Sequence, residues 1–147
     1  MINPYDDKYF MKQALVEAQR AYSENEVPIG AVVVCENQII SRAHNYTERL
    51  NDVTAHAEMQ AITSAADFLG GKYLDKCTLY ITLEPCVMCA GATFLAHVGK
   101  IVYGAGDNKK GYSRLSENVL HKKTEVVSGV LSEECSTLLK EFFKSKR

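Results

Sequence analysis

The chain has 147 residues, 46% of them hydrophobic and 24% charged, which suits one soluble globular domain spanning 1–147. Its net charge of −1 gives no general sign of nucleic-acid binding, and no apolar run approaches the roughly 20 residues that cross a bilayer. The start, Met1-Ile2-Asn3-Pro4-Tyr5-Asp6-Asp7, has no basic segment before an apolar core, so no secretory leader is expected and the cytoplasm is the expected location.

The charge is unevenly spread. Residues 1–98 carry 7 Lys+Arg against 12 Asp+Glu, giving −5, whereas residues 99–147 carry 10 against 6, giving +4. A basic half suits phosphate contacts, and a solvated lysine face explains it equally well. Of the five cysteines, Cys86 and Cys89 form a C-x-x-C pair. Cys35, Cys77 and Cys135 fall in apolar segments and read as small buried hydrophobes in a reducing compartment.

Residues 7–22 read as an amphipathic helix, with Phe10, Met11, Ala14, Leu15, Ala18, Ala21 and Tyr22 at helical spacing and Asp6 and Asp7 at its start. Residues 29–35 and 38–43 read as a β-hairpin turning at Glu36-Asn37, with Gly30 near the opening of the first strand. A polar connection from His44 leads to a helix over residues 55–69. Asn51, Asp52 or Thr54 can cap it, its first turn holds His56 and Glu58, and Gly70-Gly71 close it. Residues 77–82 form a strand. Leu83-Glu84-Pro85 then leads into a helix with Pro85 at a first-turn position. Residues 100–103 form the next strand, 104–111 a glycine-containing loop and 124–128 a last strand. Ser132 caps a terminal helix whose apolar stripe is Cys135, Leu138, Leu139, Phe142 and Phe143, read as core. Alternating strands and helices predict one mixed sheet covered on both faces.

Two short pieces carry the chemistry: Thr54-Ala55-His56-Ala57-Glu58 and Glu84-Pro85-Cys86-Val87-Met88-Cys89. His56, Cys86 and Cys89 offer one nitrogen and two sulfurs to a single zinc ion, and three protein ligands leave a fourth position for water. Glu58, two residues past His56, is placed to carry protons without binding metal. His44 is a fourth ligand on paper, but a closed site would leave no room for water.

These pieces, with Leu83-Glu84-Pro85-Cys86-Val87-Met88-Cys89-Ala90-Gly91-Ala92, Val-Pro-Ile-Gly-Ala-Val at 27–32 and Asn45, resemble the bacterial tRNA adenosine deaminases of the zinc-dependent nucleobase deaminase superfamily. The likeness runs from about Tyr9 to Phe142-Phe143. It implies a cytidine-deaminase-like three-layer α/β fold with a mixed five-stranded sheet. It also implies one zinc ion per subunit, a homodimer, and hydrolysis of adenosine to inosine at the wobble position in a tRNA anticodon loop. Substrate contacts are implied at Asn45, Val27, Pro28, Ala57 and Asp107, with Lys109 and Lys110 beside the last. The residues alone leave plainer readings open: a turn and strand start at Val27-Pro28, a turn-capping Asn45, a surface loop around Asp107. Val53 and His97 depart from the family's usual Pro and Arg, and the segment 111–128 is shorter than in some relatives. Two other functions fit the motif. One is a deaminase of free cytosine, guanine or nucleosides. The other is a structural zinc module closed by Cys35, Cys77 or His44, in which Glu58 would have no role.

Overall fold

Successive residues of β1 (Gly30–Cys35) face opposite ways and so feed two separate cores. Ala31 and Val33 join Ala57, Ala61 and Ala65 of α2 (Ala57–Leu69) and Ala90 and Ala96 of α3 (Val87–Ala96). Val32 and Val34 join Phe10, Met11 and Ala14 of α1 (Asp7–Ser23) and Cys135 of α4 (Ser132–Ser145). A strand buried on both faces needs a layer of helices on each side, which is the three-layer arrangement expected.

The remaining strands are β2 (Gln38–His44), β3 (Cys77–Leu83), β4 (Lys100–Ala105) and β5 (Glu125–Val127), in the sheet order β2-β1-β3-β4-β5. β1 runs antiparallel to β2 and β3, whereas β3, β4 and β5 are parallel. The computed structural model describes residues 4–147. The reading of residues 1–7 as lacking a leader lies partly outside them, because residues 1–3 are not described. Among the described residues no helix is long and apolar enough to cross a membrane.

Local chemistry explains most boundaries. Asp6 caps α1, its carboxylate accepting the Tyr9 N–H at 2.8 Å. Gly70 closes α2 in the left-handed region at φ 71°. Three expected helix starts are corrected. His56, not Asn51, Asp52 or Thr54, is the N-cap of α2; Asp52 instead accepts from the Thr54 N–H and hydroxyl. Pro85 precedes the N-cap of α3, which is Cys86. Ser132 is the first residue of α4, and Leu131 at φ 55° occupies its cap. The terminal stripe also divides: Phe142 is buried against Tyr22, while Phe143 is 50% exposed.

Gly30 has a packing reason that a strand opening does not suggest. A Cβ there would lie 2.1 Å from the Ala14 carbonyl oxygen and 2.4 Å from the Ala18 nitrogen of α1. Gly30→Ala is therefore expected to push α1 off the sheet at a cost on the order of 1–3 kcal/mol. Urea unfolding measures this, and an unchanged midpoint would mean that α1 does not need this close approach.

Candidate metal centre

Two helices begin at the same place. β2 ends at His44 and β3 at Leu83, and the chain beyond each strand leads into α2 or α3. His56 and Cys86, the two N-cap residues, have extended backbones and make no side-chain capping bond. Their side chains turn to each other instead. His56 Nδ1 lies 3.7 Å from Cys86 Sγ and 3.5 Å from Cys89 Sγ. Cys89, three residues into α3, shares a helix face with Cys86.

These separations suit one tetrahedral cation. Zinc bonds of about 2.0–2.1 Å to nitrogen and 2.3 Å to sulfur put neighbouring N and S ligands about 3.5 Å apart, and two sulfurs about 3.8 Å apart. All three ligand atoms lie within 4.8 Å of one another. Among the described residues no further Cys, His, Asp or Glu joins the group. Cys35 and Cys77 face each other across β1 and β3 at the end remote from Leu83. His44 points its Nε2 at Glu24 Oε2, 3.3 Å away, and its Nδ1 at the Asn45 carbonyl, 3.0 Å away. The site is a three-ligand one.

The protons follow the geometry. Hydrogen bonds from Cys89 and His56 hold the Cys86 thiol down to about 3. The same bond to Cys86, with burial, pushes Cys89 up, and Cys86 raises His56. One sulfur thus carries charge while its two neighbours hold protons toward it, and a dication would replace those protons. Glu58 is 4% exposed, on the second residue of α2, and hydrogen-bonded to Cys89. Burial pushes its carboxyl up from 4.5 to about 7.

The residues expected to meet substrate are placed as follows. Ala57 is buried between His56 and Glu58 in the chain. The Asn45 N–H donates to the Ile29 carbonyl, joining it to the Val27-Pro28 segment. Asn45 is buried, with its Nδ2 3.3 Å from Thr47 Oγ1. Val27 lines a 680 Å³ cavity with Glu26, Arg49, Phe142, Phe143 and Lys146. Asp107 Oδ1 accepts the Lys109 and Lys110 N–H groups, both at 3.0 Å, so its carboxylate shapes the loop that carries those exposed lysines.

Two supports were missed in the sequence. Glu26, 1% exposed, accepts the Glu48 and Arg49 N–H groups at 3.0 and 2.8 Å. Glu84, 5% exposed, accepts the Asp107 N–H at 3.0 Å and the Ser113 N–H at 2.9 Å. The available hint was the position of Glu84 between an apolar strand and Pro85-Cys86, where an unpaired carboxylate needs donors.

The MafB19-like deaminase family model matches residues 5–147. The chain is 49% identical to the tRNA-specific adenosine deaminase of Bacillus subtilis, covering 96% of this chain and 91% of that protein. It is 48% identical to that of Aquifex aeolicus, with 95% of each covered. A solved structure from studies of A-to-I editing by tRNA:A34 deaminases at the wobble position of transfer RNA superposes with a TM-score of 0.84 at 43% identity, covering 89% of this chain and 99% of that one. A guanine deaminase from Nitrosomonas europaea shares the fold, with a TM-score of 0.83 at 23% identity over 97% of this chain and 85% of that one.

The raised Glu58 carboxyl has a stability consequence. Between 4.5 and about 7 the folded chain holds a proton that the unfolded chain has released, so metal-free protein loses stability as pH rises through this window. Metal-free Glu58→Gln is expected to match wild type near about pH 4 and to exceed it by about pH 8. Urea midpoints across the window test this, and parallel curves for the two proteins would contradict the assignment.

Proposed function

The chain belongs to the tRNA-specific adenosine deaminase family, and from that premise we propose that it converts adenosine to inosine at the wobble position of a tRNA anticodon loop, with His56, Cys86 and Cys89 holding one zinc ion and Glu58 carrying the protons. The observation that supports this most directly is the buried Glu58 carboxyl beside a three-ligand nitrogen–sulfur set of tetrahedral spacing. Zinc bound there would supply Lewis acidity and lower the pKa of a water to about 7.

Glu58 then performs the proton transfers. Its carboxylate accepts a proton from water and delivers it to N1 of adenine as the C6–O bond forms. It next takes the remaining proton from the C6 hydroxyl and passes it to the C6 amino group, so that the C6–N bond breaks, the C6 carbonyl of inosine forms and ammonia leaves. A group held near neutrality by burial both accepts and releases protons readily. The target base has to leave its stack to reach a centre at two helix starts. Asn45, Val27, Pro28 and Ala57 would hold it, and Asp107 with Lys109 and Lys110 would meet the flanking RNA. The expected address is the cytoplasm.

A homodimer accompanies this reading. Val87, Phe94 and Leu95 of α3 are 55%, 45% and 73% exposed, and with Gly91 they fall on one helix face. A Cβ at Gly91 would meet nothing. Phe68 and Leu69, at the end of α2, are 66% and 43% exposed. Such a patch on a helix pair suits a second copy of the chain. Leu95→Glu is expected to give a monomer in sedimentation velocity; a variant that remains dimeric would place the interface elsewhere.

The function is tested by ammonia release from zinc-loaded protein supplied with an adenosine-containing anticodon stem-loop, free adenosine, cytidine or guanine. Turnover of the stem-loop, with inosine at the wobble position, is expected. Turnover of free guanine or another free substrate alone would move the protein to salvage chemistry. Glu58→Gln should retain zinc and lose at least roughly 10²-fold in rate, the usual contribution of a general acid–base group. Wild-type turnover in that variant would remove Glu58 from its role.

A further inference from the structure

We propose that Glu84 is a positioning residue for RNA recognition: its buried carboxylate fixes the 107–113 loop against the metal-ligand segment, keeping Asp107, Lys109 and Lys110 in register with the centre. This rests on the tRNA reading above. Glu84 lies at the exit of β3, two residues before Cys86, and is 5% exposed. No cation pairs with it among the described ion pairs. Its two oxygens instead take one backbone N–H from each end of the loop, Asp107 and Ser113. A carboxylate that accepts two backbone amides in a buried place is fixed in one orientation.

The rest of the loop is built around that anchor. Glu84 N–H donates to the Ala105 carbonyl at 2.8 Å, and Tyr112 N–H donates to the Pro85 carbonyl at 2.9 Å. Gly111 bridges to Cys86. A Cβ on Gly111 would sit 2.4 Å from the Glu84 carboxyl carbon and from Oε1, so glycine is what lets the carboxylate pass beneath the loop. On the outside, Asp107 Oδ1 gathers the Lys109 and Lys110 amides, and Arg114 donates to the Asn108 and Lys109 carbonyls. The outer bonds shape the loop; Glu84 ties it to the chemistry. A glutamine at 84 keeps one acceptor oxygen but turns an NH₂ toward the second amide, releasing one end of the loop.

The test is steady-state kinetics of zinc-loaded Glu84→Gln on the adenosine-containing anticodon stem-loop, beside Gly111→Ala and the double variant. Zinc content and amide hydrogen exchange are measured on the same samples. Expected for each single variant is one zinc ion per chain, a maximal rate within about threefold of wild type and a KM raised about tenfold or more. Exchange at Asp107 and Ser113 should quicken. The double variant should be no worse than the worse single one, because both changes break the same anchor. RNA binding to the same variants in a Glu58→Gln background should show a shallower salt dependence, as lysine–phosphate contacts are lost. A fall in kcat at unchanged KM would overturn the proposal. So would zinc loss in both single variants, additive effects in the double variant, or wild-type kinetics in either single variant. Failure of the wild type to turn over the stem-loop would instead strike the tRNA reading itself.

Discussion

The centre depends on two helix N-termini that have given up their capping side chains. An N-cap oxygen ordinarily stabilises a helix by about 1 kcal/mol, yet His56 and Cys86 both begin helices without a capping bond. Their atoms face a common point instead. Each helix start presents free N–H groups and a positive dipole end, which favours the charge on Cys86 and on Glu58 when it is ionised. A metal ion held by His56, Cys86 and Cys89 would offset what capping would have contributed, so α2 and α3 are expected to be held more firmly with an ion than without it.

Three buried carboxylates behave in two ways. Glu58 is buried with too little stabilisation of its charge and is driven toward neutrality. Glu26 and Glu84 are as deeply buried, yet each receives two backbone amides. At similar burial, the Glu58 carboxyl is pushed up by desolvation, whereas Glu26 and Glu84 each anchor two backbone amides. The anchors tie down the segments at 48–49 and 107–113, which flank the residues expected to meet substrate.

The order of elements was legible because it rests on strong periodic patterns: two-residue alternation in strands that feed two cores, and 3–4 spacing in α1, α2 and α4. The grouping of His56, Cys86 and Cys89 was legible for a different reason, since few residue types bind zinc and their spacing is restrictive. What escaped was set by long-range approach. Gly30 reads as a strand opening and Gly111 as a loop glycine, and only the approach of α1 and of Glu84 explains them. A carboxylate that bonds backbone amides leaves no partner to find in the sequence, so Glu26 and Glu84 passed as polar connectors. The cap of α2 was misplaced because His56 is a poor capping type and makes no side-chain capping bond there.

The same contrast separates the reaction from the substrate. The His56, Cys86 and Cys89 group with Glu58 beside it does not by itself choose a substrate, and the fold is shared with a guanine deaminase at 23% identity. Selection has to come from groups that leave a wrong ligand's partners unpaired, which can discriminate by roughly 10⁴–10⁵. For a base within RNA there is also an unstacking cost of a few kcal/mol, which contacts beyond the base must offset. The chain's charge is divided in a way that suits this: residues 1–98, with Glu58 and His56, carry −5, while residues 99–147, with the 107–113 loop and α4, carry +4. An overall charge of −1 conceals that division. Phosphate attraction in such a chain acts locally, through the loops that border the centre, so their placement matters more than net charge.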